Sequence, residues 1–156
     1  MRRASRQAGY TIIEVMIVVM VIGVLASIVL PIVRGYVARA KMSEALLALA
    51  PCRNAVTEVY LSGGDSPGPG NWGCEVASDA SRYVDSISTG ESGQIKVSLR
   101  GFDDGRINAH DLTLVPLDNT GSLPSGGGSV VRSWRCGSPA DGTDVPAQFL
   151  PASCRG

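Results

Sequence analysis

The chain has 156 residues, 14 basic against 14 acidic, with 44% apolar and 5% aromatic content. That length suits one domain with a modest core, and zero formal charge with so few aromatics argues against a general nucleic-acid binder, which needs a basic field and stacking platforms. One histidine and four cysteines without a C-x-x-C pair argue against a His-rich metal site, a zinc ribbon or a thioredoxin-like centre, while the even cysteine count points to disulfides and an oxidising compartment.

The first nine residues, MRRASRQAG, carry Arg2, Arg3 and Arg6 and no acid; Tyr10 to Val33 then carries one charge, Glu14. At about 1.5 Å rise per residue this apolar run is long enough to span most of a ~30 Å hydrocarbon layer. The basic flank predicts a cytoplasmic N-terminus and an exported remainder. An ordinary secretory signal has a shorter apolar region of ~7–15 residues, whereas this run continues past Pro31 into a helical pattern. An uncleaved signal anchor is the other plain reading. Glu14 separates them, because a carboxylate costs about 2.5–3.5 kcal/mol at the bilayer centre and so calls for a partner. It either snorkels to the headgroups or meets a cation, and a cut just before Tyr10 would create an α-ammonium four residues away.

Gly9 to Pro31, GYTIIEVMIVVMVIGVLASIVLP, resembles the class III signal of type IV pilins and related pseudopilins. The match comprises the short basic leader 1–9, Gly9, Thr11, Glu14, Gly23 and Pro31; it departs at Tyr10, where the family usually has Phe, although an aromatic is retained. The resemblance implies cleavage between Gly9 and Tyr10 by a membrane prepilin peptidase, which also N-methylates Tyr10. It implies that Glu14 neutralises the N-terminal amine of a neighbouring subunit during assembly, with Gly23 and Pro31 as further assembly residues. Removing the leader takes away three arginines and leaves a mildly acidic chain.

Beyond Pro31, Val37, Ala40, Leu47, Ala55, Val56 and Val59 recur at helical spacings, so the expectation is one long helix from Tyr10 to Leu61. Its half 10–33 is apolar all round, as in a membrane span or filament core, and its half 34–61 has one apolar face suited to packing on a sheet. Pro31 and Pro51 should each bend it, and residues 23–31 are where helix is least secure. Residues 62–93 open with the turn-rich SGGDSPGPGNWG and read as a variable loop with a short helix or strand. Within 94–136, three strands are predicted: 94–100 with Ile95, Val97 and Leu99 inward; 111–117 with Leu112 and Leu114 inward and Pro116 marking an edge or strand end; and 130–136. The fold class is therefore α+β, a long N-terminal helix packed on an antiparallel sheet, and this order of elements also resembles pilin heads.

Cys136 and Cys154, with 17 intervening residues, resemble the C-terminal disulfide loop of type IVa pilins, here 136–156. Four cysteines allow three pairings; the resemblance favours Cys136–Cys154, a bond contributing about 3 kcal/mol, and leaves Cys52 and Cys74 as a second bridge or as two free thiols. Asp103, Asp104, Asn108 and Asp111 lack the alternating order of a calcium loop. His110 beside Asp111 has no accompanying nucleophile motif, and the glycine runs 63–70 and 126–128 lack the Lys-[Ser/Thr] of a phosphate loop. No catalytic, cofactor or metal residue is therefore assigned.

The resemblance implies a structural subunit, a major pilin, whose segment 10–30 polymerises into a helical homopolymer and whose loops 62–93 and 136–154 face outward. Its partners would be copies of itself, prepilin peptidase, the pilus assembly platform, minor pilins and, before assembly, the inner membrane, with no direct nucleic-acid binding. It would be a single-pass prepilin in the bacterial inner membrane and then an extracellular pilus serving adhesion, twitching motility and DNA uptake. A pseudopilin of type II secretion and a minor pilin are the alternatives within this class; an anchored enzyme or binding protein is the alternative outside it.

Overall fold

The computed structural model describes residues 9–126 and 128–156; the leader residues 1–8, with Arg2, Arg3 and Arg6, and Gly127 of the run 126–128 lie outside the described residues. The chain forms two compact units, 1–36 and 37–156.

The first unit is helical from Ile12, with Glu14 in the opening turn, where the positive end of the helix favours an anion. Its large apolar side chains, from Ile12 to Val33, stand exposed. Pro31 lies inside α1 (Ile12–Leu47), and residues 23–31 are helical throughout.

The expected single helix to Leu61 is in fact two, α1 and α2 (Ala50–Leu61). Pro51 explains where the break falls: it lacks the N–H that would bond the Leu47 carbonyl, and its ring crowds that same oxygen. The helix therefore stops at Leu47 and restarts so that Pro51 lies in the first turn of α2, where a missing donor is harmless. The inward face also differs from the expectation. Met42, Ala45, Leu49, Cys52, Val56 and Tyr60 are buried, whereas Val37 and Ala40 are exposed and Leu47 is 74% exposed.

Four antiparallel strands follow in the order β1-β2-β3-β4: β1 (Val84–Thr89), β2 (Ile95–Leu99), β3 (Asp111–Leu117) and β4 (Ser133–Cys136). β2 alternates as expected, with Ile95, Val97 and Leu99 buried. β1 falls in the segment 62–93, read as a variable loop with a short helix or strand. Its pairing with β2 shifts register between Val84 and Ser86, so Val84 and Ile87 both reach the core although they are three apart. β3 is an interior strand rather than an edge. Its pairing with β2 stops at Leu114, and Pro116 pairs only with Trp134 of β4, so the lost donor falls where one neighbour has already ended.

β3 is also buried on both faces: Leu112 and Leu114 point to the helices, while Thr113, 5% exposed, and Val115 are covered from the other side. The cover is the segment after β4. The Thr113 N–H donates to the Thr143 hydroxyl at 3.0 Å, the two hydroxyls lie 2.6 Å apart, and the Asp144 N–H donates to the Asp111 carbonyl at 3.1 Å. Thus 143–144 occupy the flank of β3 that β4 leaves free at 111–113. Two 3₁₀ turns, Pro139–Asp141 and Ala147–Phe149, let the segment fold back so that Val145, Phe149 and Leu150 join the main core.

Candidate functional site

Gly9, Tyr10 and Glu14 lie at the start of the first unit, and Gly23 and Pro31 lie further along its helix. Gly9 and Tyr10 precede the first helical residue and have no regular structure; both are exposed, Tyr10 at 81%. The Gly9–Tyr10 bond therefore lies outside the helix. The first helical turn is closed by the Glu14 and Val15 N–H groups donating to the Thr11 carbonyl at 3.1 and 3.3 Å. The Glu14 side chain is exposed in the single chain. Gly23 has open space where a Cβ would lie, leaving room for the close approach of another helix.

In the head, all four cysteines are bonded: Cys52 of α2 to Cys74, and Cys136 at the end of β4 to Cys154. The second bond ties the cover segment to the sheet, where the Gly156 N–H also donates to the Cys136 carbonyl at 2.7 Å. The first ties the segment after α2 back onto that helix.

Next to it lies a residue that the sequence did not single out, Glu75. Its carboxylate accepts the N–H groups of Trp72 at 2.8 Å and Cys74 at 2.9 Å, and the Thr89 hydroxyl of β1. Trp72 is buried against Val56 and Tyr60, and its indole N–H donates to the Gly90 carbonyl at 3.1 Å. The only sequence signal was an acid directly after a cysteine in an otherwise turn-rich stretch. Burial pushes the Glu75 carboxyl up, but the Thr89 hydroxyl and the backbone N–H groups of Trp72, Glu75 and Cys74 outweigh it and hold the group below its ordinary value. A depressed folded value means that the stabilisation is fully present above the ordinary value of 4.5 and is lost as pH falls through the lower folded one. Acid titration should therefore loosen Trp72 only as pH falls below 4.5, read as a fluorescence change. Glu75→Gln should flatten that pH dependence, and an unchanged acid profile would show that the carboxylate does not hold the loop.

The residues weighed for calcium do not converge. Asp103 pairs with Lys41 at 2.8 Å, Asp111 with Lys96 at 2.7 Å, and the Asn108 side-chain oxygen accepts the Phe102 N–H at 3.3 Å. Asp104 pairs with Arg106 at 2.7 Å; hydrogen bonds from that guanidinium and from the Arg106 N–H hold its carboxyl down at about 2. His110 faces Asp144 rather than Asp111, with Nδ1 3.0 Å from a carboxylate oxygen. Among the described residues, no three His, Cys, Asp or Glu side chains gather as a metal site. A cavity of about 140 Å³ lies on the outer face of the sheet, lined by Gln94, Val115, Leu123, Arg135 and Asp141. Its charged groups are spent on each other, Arg135 gripping Asp141 at 2.6 and 2.7 Å, and it is well below the ~300 Å³ at which small-molecule sites begin.

The comparisons agree with this geometry. Residues 38–155 match the pilin family of bacterial filaments, and residues 4–30 match the prokaryotic N-terminal methylation motif. Similar proteins include the fimbrial protein EcpC of Eikenella corrodens, 35% identical over 96% of this chain and 91% of that protein. The type IV major pilin PilE1 of Neisseria gonorrhoeae is 32% identical over 96% and 94%. The type IV major fimbrial protein FimA of Dichelobacter nodosus is 29% identical over 97% of both.

Proposed function

This chain belongs to the type IV pilin family, and on that footing we propose that it is cut between Gly9 and Tyr10, N-methylated on Tyr10, and assembled through residues 10–33 into a helical homopolymer at the cell surface. It is a structural pilin subunit. The observation that carries the proposal is the coincidence of the methylation motif over 4–30 with an irregular Gly9–Tyr10 bond and a helix directly behind it whose large apolar side chains stand exposed. So much naked apolar surface is stable only in a bilayer or against like helices. The helix is long and apolar enough to cross a membrane, which supports a single-pass state in the inner membrane before assembly.

Glu14 then pairs with the N-terminal amine of a neighbouring subunit, and Gly23 and Pro31 shape the packed helices. The peptidase that processes the leader, an assembly platform and minor pilins are the partners this route needs. Adhesion, twitching motility and DNA uptake are the activities proposed for the filament, with the chemistry supplied by other components and none by this chain. The relatives are named as major pilins and fimbrial proteins, which supports a major pilus subunit over a secretion pseudopilin or a minor pilin.

Intact mass and N-terminal sequencing of protein sheared from cells test the route. The expected chain begins at N-methyl-Tyr10 and is lighter by two hydrogens for each of the two disulfides. A chain that keeps Met1 and remains in the membrane fraction overturns the reading.

A further inference from the structure

The charges of the head are segregated between the two ends of its sheet. Residues 62–93, which hold β1 and the segment along its outer edge, carry five acids, Asp65, Glu75, Asp79, Asp85 and Glu91, against one base, Arg82. That edge is not bare. The Gly70 N–H donates to the Thr89 carbonyl at 3.1 Å, Val76 pairs with Ile87, and the Ala80 N–H donates to the Asp85 carbonyl at 3.0 Å. Glu75 is turned into its clamp, but the side chains of Asp79 and Asp85 are 76% and 50% exposed with one guanidinium, Arg100, between them. Glu91 is exposed in the turn into β2. This end of the sheet thus presents covered backbone and uncompensated negative charge.

The opposite end differs on both counts. β4 is the last strand, and the Gly156 N–H reaches it from beyond, donating to the Cys136 carbonyl at 2.7 Å. Backbone groups alternate in direction along a strand, so the N–H and carbonyl of Trp134, two residues earlier, face the same way, and no strand lies there to meet them. Three arginines stand around this edge. The Arg53 guanidinium of α2 lies 5.6 Å from the centre of the Trp134 ring, Arg132 immediately precedes β4, and Arg155 adjoins Gly156. All three are exposed, and none has a carboxylate within ion-pair reach among the described residues. Arg135, by contrast, is spent on Asp141.

We propose that the arginine-lined edge of β4 in one head docks on the acidic side of β1 in a second copy of this chain. This rests on the filament reading and names the lateral contact between heads within it. The occupant is a second copy because the two surfaces complement each other in charge and lie at opposite ends of one four-stranded sheet, so each head can give one and receive the other at once. Such a head-to-tail contact does not close on a pair; repeated, it generates an open helix, which is the symmetry of a filament. Apolar packing between helices is non-directional. The charge pairs supply the register, since a slipped head would set acid against acid.

The test uses the full chain expressed in cells, with protein sheared from the surface measured against protein in the membrane fraction. Arg53→Glu with Arg132→Glu turns the β4 edge acidic, and Asp85→Lys with Glu91→Lys turns the exposed charge beside β1 basic. Each double variant should lose at least about fivefold in sheared filament. The four changes together exchange the signs and should restore the yield to within about twofold. Co-expression of the two double variants should restore it too, because acidic and basic heads can alternate, and it needs no single head to carry all four changes. Unaltered yield from either double variant overturns the proposal. So does failure of both the fourfold exchange and co-expression to raise the yield. If the unaltered chain itself gives no sheared filament, the filament reading fails, and this contact falls with it.

Discussion

Glu14→Ala will remove most filament from the cell surface while leaving the head as it is. The substitution lies outside residues 37–156, and the buried core residues of the head all lie within them. In an assembled filament the neighbour's N-terminal amine would lie among apolar helices. Removing one partner of a buried ion pair costs about 3–5 kcal/mol, because the other charge is left uncompensated. At about 1.4 kcal/mol per tenfold, that predicts a fall of at least a hundredfold in the equilibrium for adding a subunit. The measurement is the amount of protein sheared from cells, set against the amount in the membrane fraction. Glu14→Asp keeps the charge one methylene shorter and should retain part of the assembly; Glu14→Gln keeps the volume without the charge and should behave like alanine. Normal filament yield from Glu14→Ala would mean that the carboxylate has no pairing role.

Gly137→Ala should be the most damaging small substitution in the head. Gly137 follows the last residue of β4 with φ +76, in the left-handed region, and a Cβ there would stand 2.4 Å from the Cys154 carbonyl oxygen and 2.8 Å from Leu150 Cδ1. Backbone strain of about 1–2 kcal/mol adds to a contact that neither the disulfide-tethered carbonyl nor the buried leucine can yield, for a total of roughly 3 kcal/mol or more. Thermal unfolding of the full chain in detergent should shift down by roughly 10 °C. Gly121→Ala is the control. It has φ +80 with nothing within 4 Å, so it carries the strain without the clash and should cost only about 1 kcal/mol. Equal shifts for the two would show that the space around Gly137 does not matter.

How much of this could be read beforehand depended on whether the pattern was local. The N-terminal segment was legible because a leader, a lone carboxylate and a long apolar run coincide within thirty residues. β2 was legible because one of its faces is polar and the other buried. β1 was legible only as an unplaced short helix or strand within 62–93, since its bulge converts a two-residue alternation into a three-residue spacing. The helix face was misread because apolar residues occur all round α1, and small or sulfur-bearing side chains, Ala45, Met42 and Cys52, turn out to point inward while Leu47 does not. Burial of Thr113 was invisible for a different reason: it is created by Thr143, thirty residues away, and no window along the chain contains both. The Glu75 clamp has the same character in part, because one of its donors, Thr89 of β1, lies fourteen residues along the chain.

The cover on β3 has a consequence for the order in which the head can finish folding. Helices α1 and α2 and the hairpins β1–β2 and β2–β3 are contiguous in the chain and can form as each emerges. The free flank of β3 at 111–113 is supplied by residues 143–144, and Leu150 and Cys154 come later still. A chain emerging N-terminus first thus carries Thr113 with its hydroxyl and N–H unpaired, and its sheet open to other strands, until the final residues are released. Completion is a single late event at the C-terminus. Loss of the segment from Thr143 onward would therefore leave an adhesive intermediate rather than a slightly shorter subunit.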